Sequence, residues 1–255
     1  MKSEIIYKSD DATWVVFGRD PEKPNHIIDT NEYIIVSKGN TIVMDPGGTE
    51  IFPEVVSSIS KFISIDTIKY IFGSHQDPDI LSSLSMWQTV CPQAKTYVPW
   101  TWTSFIAHFG SEPEKMVAIP DEGSSIELSE GYVLDFVPAH YLHASGNNHL
   151  YDPQAKILFS GDVGAALLPH DQDALFVNKF EDHIKYMESF HRRWMPSNRA
   201  RDVWLERVRA MDIEMMCPQH GAIFKGENIE KFFDWFESLE LGSAIESKEP
   251  LEEAA

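Results

Sequence analysis

From Asn31 onward, apolar residues fall into short runs that end in turn-forming segments, and the period of those runs changes along the chain. "NEYIIVSKGNTIVMDPGG" holds two β-rich runs around "SKGN", which predicts a hairpin whose glycine supplies the unusual backbone angle. In "TEIFPEVVSSISKFI", Ile51, Val55, Ile59 and Phe62 recur at helical spacing, so an amphipathic helix is expected, with Thr49 as its cap. "TIKYIF" predicts another strand, and a helix follows from "DILSSLSMWQTV". "AKTYVPW", "GYVLDFVPAHYLH" and "KILFSGDVG" predict three more strands, the last two joined through "HLYDPQAK" and therefore expected as neighbours.

Beyond residue 175 the pattern turns helical in "KFEDHIKYMESFHRRWM", "RDVWLERVRAM" and "NIEKFFDWFESLE", with a short strand, "IEMMCPQHG", between the last two. In the final helix Phe232, Phe236 and Leu239 form a core stripe. Phe233 and Trp235 widen it, enough for part of that surface to meet a partner subunit. No repeat and no Pro-, Gly- or Ser-rich linker divides the chain, so one mixed α/β domain over residues 1–242 is expected, followed by an acidic tail, 243–255, that frays.

Composition narrows the class. At 255 residues and 43% apolar content the chain can bury a substantial core. Charge interrupts the N-terminal "MKSEIIYKSDDATWVVFG" every few residues and no long apolar run occurs elsewhere, which implies a soluble, cytoplasmic protein without a membrane span. Cys91 and Cys217, each followed by proline, give neither a disulfide framework nor a thiolate cluster. The net charge of −19 argues against nucleic acid or anionic membrane as partners and favours cations.

The chemistry gathers where strands stop. "GSHQDPDILSSL" places His75, Asp77 and Asp79 directly after "TIKYIF", and His143, Asp162 and His220 each lie at a predicted strand end or in the loop behind it. Strand ends of one layered fold open onto a common edge, so these six side chains are expected to converge. Imidazole and carboxylate are ligands for divalent first-row metals, and six groups exceed the needs of one four-coordinate ion. Two metals sharing a bridging carboxylate would use them all.

With those residues in view, the chain resembles the metallo-β-lactamase superfamily, specifically its di-iron branch of flavodiiron and oxygen-binding di-iron proteins, which carry His-x-Glu-x-Asp and then a His, an Asp and a His. Here 63 residues separate Asp79 from His143, 18 separate His143 from Asp162 and 57 separate Asp162 from His220, similar to that branch. The resemblance runs from about Asn31 to Phe224 and implies a four-layer αββα sandwich. It assigns His75, Asp77 and His143 to one iron, Asp79 and His220 to the other, and Asp162 to the bridge. Asp77 stands where zinc hydrolases of the superfamily carry histidine, which favours two Fe ions, with Mn or Zn as alternatives. It is also one methylene shorter than the branch's glutamate, so its iron is expected to be held differently.

Ile80 stands where a histidine often completes the second iron's shell, which implies a position left open for water or O2. Flavodiiron proteins continue into a flavodoxin domain, whereas this chain ends about 35 residues after His220, so no bound flavin is expected. The resemblance therefore implies a protein that binds or senses O2 in redox or chemotaxis signalling. The alternatives are an O2 or NO reductase core fed by a separate flavoprotein or rubredoxin, and a di-zinc hydrolase. A homodimer is expected by analogy with head-to-tail flavodiiron cores.

His140 competes with His143 for the ligand position; the spacing to Asp162 favours His143 and leaves His140 as a partner that orients ligands. His149 and His170 are expected at the surface, either being able to orient a ligand from behind or to stand in for the missing imidazole. The aromatic segment "YVPWTWTSFIAHFG" is core or dimer contact, or walls the metal pocket with His108 as a donor. His183 and His191 are read as helix-face residues.

Overall fold

The computed structural model describes residues 1–18, 28–169 and 171–246. In chain order the strands are β1 (Lys2–Lys8), β2 (Thr13–Gly18), β3 (Asn31–Ser37), β4 (Asn40–Met44), β5 (Ile68–Phe72), β6 (Lys95–Pro99), β7 (Met116–Ile119), β8 (Ser124–Ser129), β9 (Tyr132–Pro138), β10 (Asn148–Asp152), β11 (Ile157–Gly161), β12 (Met215–Pro218) and β13 (Phe224–Lys225). The helices are α1 (Phe52–Ile59), α2 (Pro78–Leu81), α3 (Leu84–Val90), α4 (Thr103–Ile106), α5 (Phe180–Trp194), α6 (Asn198–Arg209), α7 (Glu227–Ser238) and α8 (Ser243–Glu246). A seven-stranded sheet runs β1 to β7 in sequence order, and a six-stranded sheet runs β13-β12-β11-β10-β9-β8.

Alternation along the strands sorts side chains into three apolar layers. Tyr33 and Ile35 of β3 face Phe136, Leu150 and Phe159 between the two sheets, while Ile34 points the other way onto α1 and α3 through Val55 and Trp87. The second sheet mirrors this: Leu158 and Met216 meet Phe190 of α5, Trp204 of α6 and Phe232 of α7. Helix, sheet, sheet and helix are thus stacked as the αββα sandwich that the sequence implies.

The SKGN hairpin forms with both Lys38 (φ 46°) and Gly39 (φ 80°) in the left-handed region, the twist that a two-residue β-turn requires. Thr49 does not cap α1; that helix begins at Phe52 behind Ile51, with Pro53 in its first turn, and the Thr49 amide donates to Ser82 Oγ instead. The single helix expected from "DILSSLSMWQTV" is broken at Ser82–Ser83 into α2 and α3. The strands expected as neighbours, β9 and β11, are separated by β10, which pairs antiparallel with both.

Phe233 is buried against Trp204, and Trp235 packs on Phe180 and His191, so the apolar surface of α7 is covered within this chain. Part of the tail expected to fray is helical: α8 packs on α5, and the Gly242 amide donates to Met195 O at 2.9 Å. Residues 247–255 and His170 lie outside the described residues. Cys91 and Cys217 are free and buried, and no helix among the described residues is long and apolar enough to cross a membrane.

Candidate metal centre

β5 delivers its side chains through a tight turn. A Cβ on Gly73 would lie 2.8 Å from the Leu81 side chain, so the glycine lets α2 pack directly over the strand end. His75 follows, fully buried. Asp77 is the N-cap of α2 with Pro78 behind it, yet its carboxylate caps no amide; Oδ2 instead lies 3.2 Å from His143 Nε2 and 3.6 Å from His75 Nε2. Asp79 is not part of an extended run with His75 and Asp77. It comes from the first turn of α2, and its Oδ2 lies 3.4 Å from His220 Nε2.

The other sheet supplies the remaining donors from the loops behind β9, β11 and β12. Gly161 (φ 50°) turns the end of β11 so that Asp162 enters the cluster, and a Cβ there would come 3.3 Å from Ser74 Oγ. Asp162 sits between two groups: Oδ2 lies 2.9 Å from His143 Nε2 and 3.3 Å from His75 Nε2, while Oδ1 lies 3.4 Å from His220 Nε2. One ligand atom each from His75, Asp77, His143 and Asp162 falls within 4.8 Å of the others.

Two of the three imidazoles are held from behind by hydrogen bonds. Ser74 Oγ donates to Asp45 Oδ2 at 2.7 Å and lies 2.9 Å from His75 Nδ1, so the ring keeps a proton on Nδ1, and Nε2, once a cation displaces its proton, is the nitrogen that faces the cluster. His220 Nδ1 donates to Asp29 O at 2.8 Å, with the same consequence. Asn31 clamps the loop around His220: its Nδ2 donates to Pro218 O (3.2 Å) and Gly221 O (2.8 Å), and its amide donates to Gln219 O.

These contacts shift the titrations. Burial alone would raise Asp162 and Asp77, but the facing imidazoles hold both carboxyls below the ordinary range. Burial pulls His143 and His220 down, yet Asp162, with Asp77 at the first and Asp79 at the second, brings both up to about 9. Burial raises Asp79, partly offset by His220.

Despite the close approaches, His75 Nε2 and Asp162 Oδ1 are buried without a properly directed hydrogen bond. Buried polar atoms left in that state are costly, and a cation among these donors would satisfy them. Nitrogen and oxygen donors of this kind, with three carboxylates, fit hard to borderline divalent ions such as Fe2+ or Mn2+.

The remaining histidines fall elsewhere. His140 points its two ring nitrogens at Ser145 O (3.1 Å) and Asp121 O (2.8 Å) and so ties down the His143 loop from outside the cluster. His149 is fully buried on β10, contrary to the surface expectation, and its Nδ1 accepts from Trp204 Nε1 at 3.1 Å. His108 is exposed behind α4 and does not join the converging donors. Ile80 is fully buried in the core beneath α1 and α3.

His183 and His191 are buried as well, so neither is a plain helix-face residue. Trp100 and Phe105 of the aromatic segment are exposed, while Ile106 is core and Trp102 abuts Gly146 in the His143 loop. Asp45, Ser74, Asn31 and Gln219 (Nε2 to Asp79 Oδ2, 3.5 Å) were not singled out by sequence. Their signal was position alone, in "DPGG", "GSH", "TNEY" and "PQHG", each beside a strand end or a ligand.

Fold and site together define a metallo-β-lactamase-fold protein with a cluster of imidazoles and carboxylates able to hold a metal. The family described as "ODP family beta lactamase" matches residues 28–221, and the chain belongs to this ODP family. It is 38% identical to the chain in a structure of the peroxy diiron species of the chemotaxis sensor ODP, at TM-score 0.85, covering 95% of this chain and 97% of that one. An apo structure of the chemotaxis sensor ODP from T. denticola superposes at TM-score 0.87, also 38% identical, with 95% and 96% covered.

Among curated sequences, the flavo-diiron protein FprA2 of Clostridium acetobutylicum is 23% identical over 203 residues, covering 78% of this chain and 50% of that protein. An uncharacterised protein of Methanocaldococcus jannaschii is 26% identical over 210 residues, with 80% and 52% covered. The chain thus spans about half the length of these curated relatives.

Proposed function

We propose that this chain is a non-haem di-iron protein that binds O2 and serves as a sensor. The observation that carries the reading is the placement of Asp162, whose two carboxylate oxygens face separate imidazoles. His75, Asp77 and His143 would hold one iron, Asp79 and His220 the other, with Asp162 shared between them. When bound, the ferrous pair supplies the reducing electrons and the open coordination position that O2 requires.

The protein's own residues set the access. Asp77 and Asp79 are the least covered donors, with side chains 25% and 33% exposed against 0% for His75, so the site opens to solvent along α2. Ile80 lies behind that face and presents no donor, which keeps the Asp79 and His220 side short of protein ligands. Trp194 stands edge-on to the His143 ring at 5.5 Å and shields the opposite flank. Exposed Trp100, Phe105, Tyr141 and Trp194 offer apolar area for a second copy, and a soluble cytoplasmic homodimer that passes its state to a signalling protein completes the reading.

Anaerobic loading with Fe2+ followed by one equivalent of O2 tests this. Sensing by binding predicts a single stoichiometric uptake and a new visible absorption band. Absence of the band sinks the proposal, and continuous O2 consumption with an added flavoprotein or rubredoxin reductase replaces it by a reductase core.

A further inference from the structure

The geometry points to a positioning role for His191, which is none of the six donors: we propose that it sets the direction in which Asp162 is presented to the two metal positions. The inference rests on the metal-centre reading above. His191 lies in the last turn of α5, fully buried, among the rings of Phe190, Phe232, Trp235 and Phe236 at 5.3 to 5.8 Å. Its Nδ1 lies 2.9 Å from Met187 O one turn back, so the neutral ring is protonated there and Nε2 is a lone pair. That lone pair accepts the backbone N–H of Gly164 at 3.0 Å. Burial keeps the ring neutral, pulling its pKa down to about 4, so the acceptor persists at physiological pH.

Gly164 (φ 96°) belongs to the turn that begins at Asp162. Within this turn the Val163 amide donates to Ser160 O at 2.9 Å, Ser160 Oγ donates to Val163 O at 2.7 Å, and the Ala165 amide donates to Asp162 O at 3.1 Å. The turn is therefore stiff in itself, and the His191 bond fixes it as a body to α5. The same end of α5 sets Phe190 and Trp194 against the His143 ring, at 6.3 and 5.5 Å. One helix thus holds both partners of the 2.9 Å contact between Asp162 and His143. A shared carboxylate must aim two oxygens at once, and a small rotation of its turn spoils one aim or both.

The test is titration of metal-free protein with Co2+, read by visible ligand-field absorption and by stoichiometry, for wild type, His191→Leu and His191→Gln. Leucine removes the acceptor and leaves the Gly164 N–H buried without a partner. The expected result is two Co2+ per wild-type chain, a loss of about 10- to 100-fold in affinity with altered absorption for His191→Leu, and recovery in His191→Gln, whose side-chain oxygen can accept the same N–H. A leucine variant with wild-type affinity and spectrum, or a glutamine variant no better than leucine, overturns the inference while leaving the metal centre intact. A wild type that takes up no Co2+ overturns the metal-centre reading and the inference with it. If His191→Leu fails to fold by circular dichroism, 15N NMR of wild type decides: loading with diamagnetic Zn2+ is expected to shift the His191 Nε2 resonance through the Gly164 bond, and an unmoved resonance overturns the role.

Discussion

Nε2 of His143 lies 2.9 Å from Oδ2 of Asp162, a contact that joins the loop behind β9 to the turn behind β11. The other oxygen of Asp162 faces His220 at 3.4 Å from the loop behind β12. Three loops of the second sheet therefore meet on one carboxylate, and α2 of the first sheet closes over them with Asp77 and Asp79.

On the proposed di-iron reading, that arrangement makes Asp162 the residue whose loss is expected to affect both metal positions. Asp162→Asn keeps the volume and removes the charge. It is expected to bring metal content well below two ions per chain and weaken both binding steps by at least about 100-fold, the upper end for perturbing a metal site through its surroundings. Elemental analysis after gel filtration checks this; a variant that retains two ions rules out the bridging role.

Asn31 should act on one side only. Its amide group holds Pro218 O and Gly221 O on either flank of His220 and touches none of the other donors. Asn31→Ala is expected to weaken the second Fe2+ or Co2+ binding step by about 10-fold, as expected for loss of an orienting partner, and to leave the first nearly unchanged. A two-step calorimetric titration separates the steps.

Ile80 is fully buried, so Ile80→His places an imidazole where the metal-free protein offers it no solvent. The metal-free variant is expected to lose about 1–3 kcal/mol, the range for a buried polar group without a partner. Ligation would return part of that loss on metal addition, so the thermal shift caused by Fe2+ should exceed that of wild type and the O2 spectrum should change. Equal shifts and unchanged spectra would mean that Ile80 does not border the second position.

Stability of the metal-free protein should peak near pH 6.5. His149, His183 and His191 are pulled down by burial, to about 3, 4 and 4, from an ordinary value of 6.5. Their folded values lie below the unfolded ones, so the unfolded chain binds the extra protons and stability falls from pH 6.5 downward, by about 1.4 kcal/mol per pH unit for each. Asp45, pushed up to about 7 by burial, works in the opposite direction and offsets part of this.

His143 and His220 stand at about 9. Their folded values are raised, so the stability they contribute is complete below pH 6.5 and is lost as pH rises through about 9. Metal displaces those protons, so the alkaline decline should disappear in the loaded protein. Urea unfolding at pH 5, 6.5 and 9, with and without metal, tests both limbs.

How much of this could be read from the residues varies by element. The strands β3 to β6, β9, β11 and β12 follow from short apolar runs, several buried on both faces, and the helices α5 to α7 from helical spacing of the apolar residues. β1 and β2 were not singled out, since β1 leaves much of its length in solvent and carries charge through its run. β10 was hidden because "HLYDPQAK" reads as a connection, although Asp152 folds the turn back by accepting the Gln154 and Ala155 amides. The six candidate donors stood out because each lies at a predicted strand end or shortly behind one, and strand ends share an edge. Their supports were not: the bonds of His191 to Gly164 and of Asn31 to the His220 loop span 27 and 187 or more residues, and no local pattern encodes such pairings.

The proposed function stands or falls with a pair of irons around Asp162. Protein isolated anaerobically from its native host, examined by elemental analysis and Mössbauer spectroscopy, tests it most directly. Two ferrous ions per chain are expected, becoming an exchange-coupled pair after one equivalent of O2. Two zinc ions per chain, or a single iron indifferent to O2, would contradict it.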